Sequence, residues 1–169
     1  MQTKIDKGIL LDTIRPLYVL EGKWTGYGKG NYPTLNEFSY KEETCFETVA
    51  NEPYILMTQK TWLKGRGQSE FIHIETGIIS AVDMGVLRFY TCHMNGRIEI
   101  MTGKYLGLTK ESIAFVSDLV KNEINLKQAL SSSRVFKFNP NVFEYELCLS
   151  TIDVIKKTKH ASARLLKAF

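Results

Sequence analysis

The sequence predicts an all-β fold: a single closed antiparallel β-barrel of about ten strands, preceded by one short helix. Three observations predict it. Apolar and polar residues alternate with period two over most of the chain, the mark of strands with one wet face. Turn-forming clusters interrupt that alternation at short intervals: Asn51-Glu52-Pro53, Asp83-Met84-Gly85, Asn95-Gly96 and Asn139-Pro140-Asn141. Nine or ten strands joined by short turns make a sandwich or a barrel. Closure is preferred, because an open meander of that length leaves long unpaired edges.

The elements follow in order. Leu10, Leu11, Ile14 and Leu17 form a short helical stripe over residues 9–20, and Pro16 limits its length. Phe38, Tyr40, Thr44 and Phe46 alternate with Ser39, Lys41, Glu43 and Glu47 as one strand. Tyr54 to Leu63 is again β-rich, and Gly65-Arg66-Gly67 closes it. Phe71 to Val82 reads as one or two strands broken near Gly77. Val86 to Met94 and Arg97 to Met101 flank Asn95-Gly96, a pair that suits a type I′ hairpin turn because both central positions need positive φ. Further strands are expected at Tyr105 to Leu108 and Ser112 to Leu119. The polar stretch 121–133 suits a loop or a short helix. Arg134 to Phe138 and Val142 to Leu149 flank a second hairpin turn. The tail, Ile155 to Phe169, carries Ala161, Ala163, Leu165, Leu166 and Ala168, and propensity favours a helix. Read instead as a strand, it places His160, Ser162, Arg164 and Leu166 on one face.

Length and composition restrict the function classes. A chain of 169 residues is one domain's worth, so residues 1–169 are expected to form a single barrel domain without a disulfide or metal staple. The net charge of +4 is spread along the chain. The dense run Lys156, Lys157 and Lys159 is too short for the basic stripe of a nucleic-acid protein and reads as a solvated edge, so no nucleic-acid partner is expected. The three cysteines, Cys45, Cys92 and Cys148, lack paired short spacing and argue against a disulfide framework or a zinc site. The N-terminus Met1-Gln2-Thr3-Lys4-Ile5-Asp6 lacks the features of a signal peptide, and no apolar run approaches the ~20 residues of a membrane helix. The expectation is a soluble cytoplasmic protein with no membrane partner.

The most unusual segment is Gly22-Lys23-Trp24-Thr25-Gly26-Tyr27-Gly28-Lys29-Gly30-Asn31-Tyr32-Pro33. On a strand, Gly22, Trp24, Gly26, Gly28, Gly30 and Tyr32 share one face. A face stripped of side chains lets a flat or bulky group approach the backbone. A strongly bent strand at a barrel corner explains the same glycines. A phosphate loop is excluded, because the dinucleotide spacing, the Lys-Ser/Thr pair and the βαβ context are all missing.

This segment resembles the G-x-W-x-G-x-G-x-G-x-Y-P signature of the nitrobindin family. Four glycines and one proline match at a given start on the order of once in a million at background frequencies. The resemblance runs from about Leu17 to Lys167. It includes Pro33-Thr34 with Phe38 and Tyr40, His73-Ile74-Glu75-Thr76-Gly77, Asn95-Gly96-Arg97-Ile98-Glu99-Ile100, Arg134-Val135-Phe136 and Lys159-His160-Ala161-Ser162-Ala163. It implies a ten-stranded barrel similar to the lipocalin and fatty-acid-binding folds, with haem b inside one end. It also implies that the tail is a strand, against its propensity.

The chain has three histidines. His93, beside the Asn95-Gly96 turn, reads as a solvated turn-end side chain. His73, with Glu75 on the same strand face, reads as a structural histidine hydrogen-bonded to a neighbour, and the resemblance leaves a role at the pocket open to it. His160 is by composition an unremarkable surface histidine. The resemblance makes it the axial ligand of the haem iron and makes Thr34 a haem contact. Leu149 stands where the family often has methionine, and Ala161 where it has leucine. The implied activity is isomerisation of peroxynitrite to nitrate at ferric haem, with nitric oxide binding alongside it, in a monomer or homodimer. The alternative is the same barrel as a non-enzymatic carrier of an apolar small molecule, without iron.

Overall fold

The computed structural model describes residues 5–65, 70–123 and 128–168. A helix α1, Lys7–Ile14, starts at Asp6, whose carboxylate accepts from the Gly8 N–H at 2.6 Å as an N-cap. It tightens at Pro16 into a 3₁₀ helix, Arg15–Leu20. Ten strands follow: β1 Gly22–Tyr32, β2 Leu35–Thr48, β3 Tyr54–Leu63, β4 Glu70–Asp83, β5 Val86–His93, β6 Ile98–Tyr105, β7 Ser112–Lys121, β8 Ala129–Phe138, β9 Val142–Thr151 and β10 Thr158–Ala168. Each pairs antiparallel with the next, and β1 pairs with β10 from Lys23↔Ala168 to Gly30↔Ala161, which closes the barrel. No helix among the described residues is long and apolar enough to cross a membrane.

Several expectations change. Tyr105 to Leu108 is no separate strand: β6 ends at Tyr105 and the chain turns through Gly107, at φ +73°, toward β7. The Asn95-Gly96 turn is not type I′, because Gly96 has positive φ and Asn95 does not. Phe71 to Val82 is one unbroken strand through Gly77, whose missing side chain admits the Tyr90 carbonyl of β5. The tail is strand β10, as the resemblance implied and against its propensity: closure offers it two partners, β1 and β9, and those ladders outweigh the helical preference. Within 121–133, β7 reaches Lys121 and β8 begins at Ala129; residues 124–127 lie outside the described residues, as do Met1–Lys4 and Arg66 and Gly67 of the expected β3–β4 turn.

The helices plug one end of the barrel. Ile14, Leu17 and Leu20 are fully buried, the Trp24 indole donates to the Leu20 carbonyl at 2.6 Å, and the Tyr105 hydroxyl donates to the Thr13 carbonyl at 2.8 Å. Above them the rings of Phe89, Phe115, Phe136 and Phe143 succeed one another at 5.2 to 5.3 Å between centroids and fill this part of the interior. The interior cavity lies toward the other end.

The glycines of β1 face inward as their phase requires, but the wall they form is not bare. A β-carbon on Gly28 would lie 2.2 Å from the Tyr40 ring, and one on Gly30 would lie 2.2 Å from the Phe38 ring. Both rings belong to β2 and lie flat over the glycine backbone. Gly26 has a different reason: its β-carbon would meet the Arg164 carbonyl oxygen at 2.2 Å and the Leu165 Cα at 2.9 Å, both backbone atoms of β10. A backbone neighbour cannot rotate away. Gly26→Ala is therefore expected to cost at least about 1–3 kcal/mol through overpacking at the closing seam, read as a lower urea midpoint with unchanged slope.

Candidate functional site

The open end of the barrel holds a cavity of about 420 Å³. Leu35, Phe38, Leu63, Ile72, Leu147 and Ala161 give it apolar walls, and His73, His93, Arg97, Arg134, Tyr40 and His160 bring polar atoms into it. That combination is the usual make-up of a small-molecule site. A larger hollow of about 650 Å³ lies against the outer wall, bordered by Lys29, Lys64, Lys137, Glu144 and Arg164. Its rim is charged and faces outward, so the interior cavity is the candidate.

His160 reaches that cavity through a local irregularity. Along β10, Ala161, Ala163 and Leu165 point inward while Ser162, Arg164 and Leu166 point outward. By strict alternation His160 belongs to the outward set. The register with β9 slips between Lys159 and Ala161, where Lys159↔Cys148 is followed directly by Ala161↔Leu147. His160 is the extra residue of a β-bulge, which turns it to the inner wall beside Ala161. Tyr32, the last position of the glycine-rich motif, stands edge-on to its ring at 5.4 Å between centroids. The Tyr32 hydroxyl is itself anchored on the Leu149 carbonyl at 3.3 Å and Thr151 Oγ1 at 3.4 Å. The His160 Nδ1 is enclosed and has no hydrogen-bond partner among the described residues. Burial, and then the charge of Arg97, hold its imidazole below the ordinary value, so the ring is neutral at pH 7 and keeps a lone pair for a metal.

A buried ionic cluster lies on the opposite strands. Arg134 Nη1 donates to Glu75 Oε1 at 2.6 Å, with both side chains at or below 5% exposure. His93 Nδ1 lies 3.2 Å from His73 Nε2 and 3.4 Å from Glu75 Oε2, and its Nε2 lies 3.2 Å from Thr91 Oγ1 and 3.5 Å from Glu99 Oε1. Arg97 Nε sits 2.7 Å from Glu99 Oε1, but off the N–H axis, so this is an ion pair without an aligned hydrogen bond. Burial pushes the Glu75 carboxyl up, and Arg134 more than offsets it, leaving Glu75 below the usual carboxylate range. Glu99 is likewise held low against burial by the neighbouring His93 imidazole and both guanidiniums. His73 is pushed down to about 4, chiefly by burial.

A second polar chain runs deeper. Tyr145 Oη donates to Glu42 Oε2 at 2.7 Å and meets Tyr40 Oη at 2.8 Å, while Gln59 and Thr44 both donate to Glu42 Oε1 at 2.7 Å. Burial raises the Glu42 carboxyl despite these donors. The native state therefore holds this proton more tightly than the unfolded chain. That contribution to stability is full below the unfolded value near 4.3 and is lost as pH rises through the raised native value. Urea midpoints compared between pH 5 and pH 8 should fall further for the wild type than for Glu42→Gln, which carries no titrating proton.

Residues 13–167 match the family model described as a THAP4-like, heme-binding beta-barrel domain. The chain belongs to this family, the nitrobindins. Among similar nitrobindins, one named peroxynitrite isomerase Rv2717c, from Arabidopsis thaliana, is 33% identical over 138 residues, covering 82% of this chain and 79% of that protein. A peroxynitrite isomerase from Mycobacterium leprae is 30% identical over 147 residues, covering 85% and 88%. The crystal structure of Rv2717c from M. tuberculosis superposes with a TM-score of 0.82 at 25% identity, over 93% of this chain and 98% of that one.

Set within the nitrobindin barrel, the residues singled out from sequence separate. His160 and His73 line the cavity. Thr34 is exposed in the β1–β2 turn, next to Leu35 of the cavity wall. Leu149 is buried, with its carbonyl under Tyr32, and Leu147 rather than Leu149 lines the cavity. Of the motif, Trp24 packs at the plugged end, Gly26, Gly28 and Gly30 admit the β10 backbone and the Tyr40 and Phe38 rings, Gly22 and Pro33 bound β1, and Tyr32 supports His160. His93 departs from the expectation of a solvated turn-end side chain. It is 2% exposed, because the last residue of β5 falls in the inward phase and meets Glu75, Glu99 and Arg134 there. Arg97, Glu99 and Arg134 join the site without having been expected there. A signal was present: Glu99 shares the phase of Met101 and Gly103, and Arg134 shares that of Phe136 and Phe138, all inward. A charge in the phase of a core must find a counter-charge inside.

Proposed function

We propose that this nitrobindin holds haem b through His160 and isomerises peroxynitrite to nitrate, binding nitric oxide at the same centre. The observation that carries the reading is the β10 bulge, which brings a neutral, half-buried imidazole into an apolar cavity. The residues fit the group: a lone pair for iron, an apolar wall for a macrocycle, and small Ala161 beside the ligand. Ferric haem, when bound, supplies a Lewis acid for the rearrangement. The chain's own part is to fix and protect. Tyr32 holds the His160 ring by edge contact. Leu35, Phe38, Leu63, Ile72, Leu147 and Ala161 exclude water. Arg97, at 12% side-chain exposure, keeps a guanidinium in the cavity that favours entry of an anion.

The test uses the full chain with added hemin. A sharp Soret band at one equivalent is expected, followed by accelerated peroxynitrite decay with nitrate as the product. Absence of a Soret band, together with saturable uptake of a fluorescent fatty-acid probe, would instead support an iron-free carrier.

A further inference from the structure

The His73–Glu75–His93 cluster is more than the proposed iron ligand requires. Its donor atoms converge: His73 Nε2 to His93 Nδ1 is 3.2 Å, His93 Nδ1 to Glu75 Oε2 is 3.4 Å, and donor atoms of all three residues lie within 4.8 Å of one another. Four ligands placed tetrahedrally at zinc–nitrogen and zinc–oxygen bond lengths stand about 3.3–3.5 Å apart. The two shorter separations already match that edge. Two imidazoles and one carboxylate with a fourth position free is the donor set of catalytic zinc sites and of related non-haem metal sites.

The surroundings hold these ligands as such sites require. Glu75 is oriented through its other oxygen by Arg134 at 2.6 Å. His93 presents its far nitrogen to Thr91 Oγ1 at 3.2 Å, so a proton placed there finds an acceptor while Nδ1 offers its lone pair. The hydrogen now shared between the two rings moves to a far ring nitrogen when a metal takes its place. His73, Glu75 and His93 all line the cavity, which gives an ion an entry path.

The charges around the cluster define what the fourth position takes. Glu75 and Glu99 are already matched by Arg97 and Arg134, and Arg97 Nη2 stands 3.3 Å from both nitrogens of His93. A dication therefore adds positive charge beside two guanidiniums, which lowers its affinity and makes an anion the favoured fourth ligand. We propose that His73, Glu75 and His93 form a second metal site, for a divalent transition-metal ion of the zinc class, whose open position faces the cavity beside Arg97 and takes a small oxyanion. The site is independent of His160.

Titration of the full chain, haem-free and hemin-loaded, with zinc chloride by calorimetry and with cobalt(II) chloride by visible absorption tests this. One ion per chain is expected, with the intense visible bands of four-coordinate cobalt(II). His73→Ala should weaken zinc binding at least 10-fold, and His73→Cys, which restores a ligand, should recover most of it. Arg97→Gln should tighten binding about 10-fold by removing repulsion, a sign that binding to surface carboxylates would not produce. His160→Ala should leave the affinity within 2-fold, so failure of the haem reading and failure of this one give different results. No saturable zinc binding below millimolar concentration overturns the proposal. Binding indifferent to His73→Ala, or abolished by His160→Ala, overturns it equally.

Discussion

His160→Ala is expected to abolish the hemin Soret band, weakening hemin binding by at least about 100-fold, or ~2.7 kcal/mol. The fold should survive intact. His160 is the extra residue of the bulge, its Nδ1 has no partner to lose, and its neighbours Ala161 and Ala163 keep their places in the β1 and β9 ladders. Circular dichroism and the urea midpoint should therefore match the wild type while the spectrum is lost. Imidazole added to the variant should restore part of the band by supplying the missing nitrogen. His73→Ala, in contrast, should keep the band. A Soret band that persists unchanged in His160→Ala would remove this residue as the iron ligand.

The second large effect is on stability. Arg134→Met should destabilise the protein by about 3–5 kcal/mol at pH 7, since it leaves the Glu75 carboxylate buried without its guanidinium partner. Methionine fills similar volume, so the loss reports charge more than space. The double variant Arg134→Met/Glu75→Gln should recover much of it, which a packing defect would not allow. The pH dependence has a defined sign. Glu75 is depressed in the wild type, so its contribution is present above the unfolded value near 4.3 and is lost as pH falls through its native value. In Arg134→Met the carboxyl is no longer held down, burial dominates, and mild acid should narrow the gap between variant and wild type. Urea titrations of the three proteins at pH 7 and pH 5 read both effects.

The ladder of strands was legible because its cause is local. Period-two patterning and turn chemistry repeat along the chain, and each hairpin needs only its own neighbours to form. The glycine-rich strand was legible as a motif and as an inward face. Its occupant was not, because Tyr40 and Phe38 lie on another strand and cover Gly28 and Gly30 only through the β1–β2 register. The tail shows the same division. Its composition favours a helix, and two open strand edges at the closing seam supply ladders that no local propensity includes.

By itself the sequence determined an all-β barrel with a capping helix and, through its signature, the family to which it belongs. Local pattern did not show which histidines face inward: the family signature implied it for His160, and the tertiary structure decided it for His93 and supplied the cause for both. The bulge at His160 reverses the face that alternation assigns, and a one-residue slip in register is set by pairing with β9, not by the residues of β10. The cluster of His73, Glu75, His93, Glu99 and Arg134 comes from four strands, and a buried charge reveals its purpose only when its partner from another strand is placed beside it.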